Sequence, residues 1–145
     1  MKRYLVAAVS MLSLVAPTHA RITRIVIEHR DSPAYQGQSF GEAGRYERLS
    51  GHAFGELDPR DPLNAVITDL ELAPRNTRGM VEYSATFLIA KPIDLAKASG
   101  VLLSEVANRG NSALVRAANS AALMADYFKR GHVVFTSGWQ GDLEP

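Results

Sequence analysis

The sequence predicts an α/β protein, and an incomplete one: antiparallel front strands that lead into a single β-loop-α-β unit of a sheet. Two observations carry this. Residues 100–106 read as an apolar strand, followed by a polar glycine loop at 107–111, a helical stretch to Arg130, and a second apolar strand at 132–135 behind Gly131. That order is part of a doubly wound sheet, which places its chemistry just beyond the carboxyl ends of the strands. A parallel sheet must also be covered by helices on both faces, yet one convincing helix is all the pattern supplies. With the chain stopping at Pro145, directly after the second strand, the expectation is the front portion of a larger enzyme.

The elements follow in order. Residues 1–20 read as a secretory signal: Lys2 and Arg3 at the start, an apolar run from Tyr4 to Ala16, and small residues at Thr18 and Ala20 for cleavage. The run is too short for the ~20 residues of a spanning helix, so an exported protein with no lasting membrane anchor is expected. Residues 21–30 alternate as a β-branched strand, with Ile22, Arg24, Val26 and Glu28 on one side and Thr23, Ile25 and Ile27 on the other. Glycines and polar residues break the chain from Ser32 to Gly44. Short strands are expected at 46–49 and 52–56, then a turn at 58–62 whose two prolines push the preceding residues away from helix. Residues 65–73 and 81–90 complete the front strands, the latter with Tyr83, Ala85, Phe87 and Ile89 on one face. In the helix, Leu114, Ala118, Ala121, Ala125 and Phe128 form an apolar stripe, with Ser112 or Ser120 as the cap. Lys129 and Arg130 suit its carboxyl end, and Gly131 the left-handed stop.

Composition narrows the function classes. Removing the leader takes two of the 16 basic residues and none of the 15 acidic ones, leaving a formal charge of −1. The charges are mixed along the chain, so no nucleic-acid or anionic-membrane surface is indicated. There is no cysteine, which excludes disulfides, thiol catalysis and thiolate metal sites. No histidine pair has metal-ligand spacing, and Asp58, Asp61 and Asp69 do not form a calcium loop. No cofactor and no metal are implied.

Six stretches resemble the α/β-hydrolase superfamily, and more narrowly the large bacterial alpha/beta hydrolase domain-containing proteins. They are SFGEAGRYE (39–47), GELDP (55–59), DLELAPRN (69–76), MVEY (80–83), NRGN (108–111) and SGWQGD (137–142). The resemblance implies that residues 21–145 are the N-terminal portion of an α/β-hydrolase sheet, truncated at its C-terminal end. It implies a hydrolase of carboxylic esters or related acyl bonds, acting on a small ester-like substrate, with its catalytic serine, acid and histidine beyond residue 145. In that superfamily the loop after the third strand lends a backbone N–H to the oxyanion hole, where fixed dipoles stabilise the charge that acyl transfer creates. Asn108, Arg109 and Gly110 occupy that loop, while Trp139 and Asp142 follow the next strand as candidates for the pocket rim. Glu105 stands at the strand end as loop support, able to pair with Arg109.

Gly37-Gln38-Ser39-Phe40-Gly41 matches the nucleophile pattern G-x-S-x-G. An elbow of that kind needs a buried strand before it and a helix after it, and neither is legible, so a glycine-rich turn is expected and no catalytic residue is assigned in this chain. His52 and His132 read as strand residues, and Arg75 and Arg78 as solvated turn residues. The competing reading is a non-catalytic, exported, β-rich module that binds a ligand or partner, which accounts for the many short strands without further chain.

Overall fold

The computed structural model describes residues 20–105 and 112–138. Six strands occur in chain order: β1 (Ala20–Asp31), β2 (Ser39–Phe40), β3 (Gly44–Leu57), β4 (Val81–Pro92), β5 (Leu102–Glu105) and β6 (Val133–Ser137). Two helices, α1 (Ala113–Ala118) and α2 (Ala121–Lys129), connect β5 to β6. The sheet order is β1-β3-β4-β6-β5, with β2 paired on β3. β5 and β6 run parallel, and the other ladders are antiparallel.

This architecture corrects the expected fold class. Strands account for 44% of the structure and helix of every kind for 27%, in one mixed six-stranded sheet with only two α-helices among the described residues. That is not the layout of an α/β-hydrolase. The reason lies in the pairing: the long β1, β3 and β4 ladders are antiparallel, and such a sheet can leave one face to solvent. Both helices contribute to one core on the other face, where Ala118, Met124 and Phe128 meet Phe40, Ala43, Tyr46, Ala90 and Val134.

That core is aromatic at its centre. The Tyr46 and Phe128 rings stack at 4.2 Å, and Phe40 meets each edge-on at 5.5 and 5.1 Å. The buried Tyr46 hydroxyl donates to the carbonyls of Phe128 (3.1 Å) and His132 (3.0 Å), so the phenol ties β3 to the end of α2. Tyr35 donates similarly to the Ala118 carbonyl at 2.6 Å and closes the end of α1. A buried hydroxyl without such partners would be costly.

Several local expectations are corrected as well. The two short strands at 46–49 and 52–56 are one continuous strand, in unbroken register with β4 from Tyr46↔Pro92 to Leu57↔Val81. Gly55 is what permits this: a Cβ there would collide with the Tyr83 ring, which lies against it. Residues 65–73 form no strand; the chain turns instead through the 3-10 segments Pro62–Asn64 and Leu70–Leu72. Asp61 accepts from the Leu63 N–H (2.9 Å), and the Asn64 amide donates to the Asp58 carbonyl (2.8 Å), local bonds that compete with strand pairing. The single helix is two: Asn119 ends α1, and Ser120 caps α2 by accepting from the Leu123 N–H. In β1, register shifts between Ile22 and Arg24 and between Ile27 and His29 break the simple alternation. Ile22 therefore joins Ile25 on the open face rather than opposing it.

Candidate functional site

Two places on the molecule have site-like geometry. The first is the sheet edge where β5 and β6 end. These parallel strands pair Leu102↔Val133 through Glu105↔Thr136, so both finish at the same edge. The Glu105 carboxylate accepts from the Leu114 N–H at 2.8 Å and from the Ser112 hydroxyl, while Ser112 Oγ accepts from the Val115 N–H at 2.8 Å. A strand-end carboxylate and a cap serine thus share the free N–H groups of the first turn of α1. Residues 106–111 are therefore bracketed by two groups bonded to each other. On the neighbouring strand the Gly138 N–H donates to the Thr86 carbonyl at 2.9 Å, which keeps the chain on β4 as it leaves β6.

The oxyanion-loop candidates Asn108, Arg109 and Gly110, and the rim candidates Trp139 and Asp142, lie outside the described residues. What the structure places is their approach: the chain enters 106–111 and leaves 138 from one edge. Glu105, read as loop support able to pair with Arg109, is engaged with Ser112 and Leu114.

The second place is the sheet face opposite the core, which no helix among the described residues covers. Residues adjacent in sequence to the core residues Ala90 and Val134 point the other way, and there Ile22, Ile25, Ala53, Tyr83, Phe87 and Phe135 line a groove of about 790 Å³. The face that Tyr83, Ala85, Phe87 and Ile89 share by alternation is this one.

Ser39 sits on β2, exposed, behind the 3-10 turn Tyr35–Gly37 and ahead of another at Gly41–Ala43. A contact that alternation and spacing do not show joins Ser99 Oγ to His132 Nδ1 at 2.8 Å, bridging residues 33 apart in sequence. It stands where β5 and β6 begin, at the edge opposite Glu105. Ser99 Oγ also accepts from the Val101 N–H (3.2 Å), and the Ser99 N–H donates to the Gly131 carbonyl (2.9 Å), so the pair clamps two turns together.

The buried carboxylates are structural. Glu47 loses solvation on burial, which pushes its pKa up, but bonds from Lys91 and Arg30 outweigh this and hold the carboxyl below its ordinary range. Glu56 is held low by Arg21 first, against a desolvation penalty, with Arg78 adding to the effect. Arg78, expected as a solvated turn residue, is therefore also the partner of a buried acid. Burial pushes the Tyr35 phenol up to about 12, with the Arg48 charge opposing it.

Among the described residues no group of three or more His, Asp or Glu is placed to hold a metal ion, and no helix is long and apolar enough to cross a membrane. No family model, no curated protein and no solved structure matches this chain.

Proposed function

We propose that the chain belongs to an exported enzyme that hydrolyses carboxylic esters or related acyl bonds. Residues 108–110 lend backbone N–H donors to the oxyanion, and the serine, acid and histidine lie beyond residue 145. The observation that supports this reading is the common end of β5 and β6, with Glu105 and Ser112 bracketing the loop between them. The reading does not depend on the number of helices. Acyl transfer needs fixed hydrogen-bond donors at the developing oxyanion beside a nucleophile, and that constellation recurs on unrelated folds. Removing one oxyanion donor costs about 10²–10³ in rate.

The test is p-nitrophenyl ester turnover and fluorophosphonate labelling of the protein as cells export it. Turnover, one labelled serine beyond residue 145, and no activity from residues 21–145 alone are the expected results. A fully inactive and unlabelled exported protein refutes the reading; so does fragment activity abolished by Ser39→Ala.

The open apolar face favours a second reading, a β-rich module that binds an apolar ligand in the groove over Ala53, Phe87 and Phe135. Saturable binding of a fatty acid, weakened by Ile25→Glu in an esterase-inactive protein, would favour this reading over hydrolysis. Ile25 is 63% exposed, so the change is compatible with the fold.

A further inference from the structure

We infer that β1 is a self-association strand, and that the partner for which it is built is a second copy of this chain, paired antiparallel about Val26.

Among the described residues β1 is the terminal strand in the sheet order and pairs with β3 along one side. A long edge strand is a template for another chain, and proteins blunt such edges with bulges and charges. Both devices are present here, and their placement decides between guarding and pairing. The register shifts fall between Ile22 and Arg24 and between Ile27 and His29, so they flank Arg24–Ile27, which remains in regular register with Phe54–Gly51. The regular segment is short and central.

The charges nearest that centre, Arg24 and Glu28, are opposite in sign. Arg21 and Arg30 are engaged by the buried acids Glu56 and Glu47. Arg24 lies over the Phe54 ring at 3.8 Å, and Glu28 bonds His52, the residue opposite Val26. Glu28 falls in the second register shift, but its bond to His52 keeps it on the face of Arg24 and Val26, and Ile25 and Ile27 alternate onto the other. In an antiparallel pair centred on Val26, residues equidistant from it stand opposite each other. Arg24 then faces Glu28 of the second copy, twice by symmetry, and Ile25 faces its Ile27, also twice. Opposite charges and aliphatic pairs at facing positions are the units that stabilise a ladder, and an isologous contact of this kind closes on itself. A strand guarded against its own copy would carry one sign of charge and would repel it.

The apolar residues point the same way. Ile25 and Ile27 are each more than half exposed, as is Ile22 nearby, on a strand whose inner neighbours are Gly55, Ala53 and Gly51. Pairing through β1 would bury these isoleucines against their counterparts and join two open faces into one apolar surface. An edge contact buries less than a standard interface, so a weak, reversible association is expected.

Sedimentation velocity of the purified protein over a concentration series tests this. The wild type is expected to be a reversible dimer that weakens with salt. Arg24→Glu, which sets like charges opposite each other, should weaken it at least tenfold, and Arg24→Glu combined with Glu28→Arg should restore it to within about threefold of wild type. Circular dichroism of each variant checks the fold; if Arg24→Glu unfolds, Ile25→Lys, at a 63% exposed position, replaces it with the same expected loss. A wild type that is monomeric at every concentration overturns the inference, as does a double variant that associates no better than the single one.

Discussion

Truncating Phe128 to alanine tests whether the aromatic centre holds the helices on the sheet. Phe128 is completely buried, and its ring contacts Tyr46 at 4.2 Å, Phe40 at 5.1 Å and Tyr35 at 5.2 Å. Deleting a buried phenylalanine typically costs 3–5 kcal/mol through lost transfer energy and the cavity left behind. Three aromatic neighbours lose a geometrically specific contact worth roughly 0.5–1.5 kcal/mol per pair, not additively. The upper part of the range is therefore expected, about 4–5 kcal/mol, a large fraction of the 5–15 kcal/mol that holds a typical domain. Urea unfolding followed by circular dichroism measures it. Leu123→Ala on the same helix is the control: Leu123 is 67% exposed, and its change should stay within about 0.5 kcal/mol. A Phe128→Ala cost below about 1 kcal/mol would refute the assignment of this cluster as the core.

Three further outcomes are expected. Gly131→Ala should destabilise more than Gly100→Ala: both glycines have φ near +78°, but a Cβ at 131 would stand 2.6 Å from the Lys97 carbonyl oxygen, whereas at 100 nothing lies within 4 Å. Left-handed strain alone costs about 1–2 kcal/mol, so thermal melts of the two variants isolate the steric part. Glu105→Gln should cost about 1–2 kcal/mol, since a charged acceptor at the start of α1 becomes a neutral one; under the acyl-hydrolase reading it should lower kcat more than it raises KM in the exported protein. Because Glu47 and Glu56 have folded pKa values below their ordinary value of 4.5, they stabilise the fold at neutral pH, and that contribution is lost as pH falls from the ordinary range through the depressed one. Urea midpoints between pH 7 and pH 3 should drop below about pH 5, and less steeply in Glu47→Gln.

Patterns that depend on one element alone were legible in the sequence. Period-two alternation put Tyr83, Ala85, Phe87 and Ile89 on one face of β4, and the cationic end with Gly131 marked the stop of α2. The helical stripe found Phe128, Ala118 and Leu114 but passed over Met124, which is buried to 1% exposure. Met124 stands three residues after Ala121 and four before Phe128 on the same face, so the stripe kept its phase through Asn119 and Ser120 and missed only this neighbour of Ala125. Residues 65–73 carry β-branched side chains and still form no strand, because a strand exists only with a partner and local Asp and Asn bonds supply turns instead. Phe40 and Ala43 enter the core from a stretch whose glycines read only as a break, and Tyr46 from the start of the strand expected at 46–49.

The site was legible to a smaller extent, and the reason is physical. Glu105 was recognisable near the carboxyl end of an apolar strand, but its bond to Ser112 crosses a loop whose length no periodicity measures. The Ser99 to His132 contact and the pairing of Glu56 with both Arg21 and Arg78 join segments brought together by the sheet order. Sheet order also decides which face stays open. An α/β reading demands helices on both faces, whereas the antiparallel β1-β3-β4 run needs a cover on one only. The apolar groove and the β1 edge follow from that difference. Under the proposed acyl-hydrolase function, chemistry at the β5 and β6 ends would proceed beside an exposed hydrophobic surface, and an acyl substrate has both a carbonyl to be polarised and a chain to be kept from water.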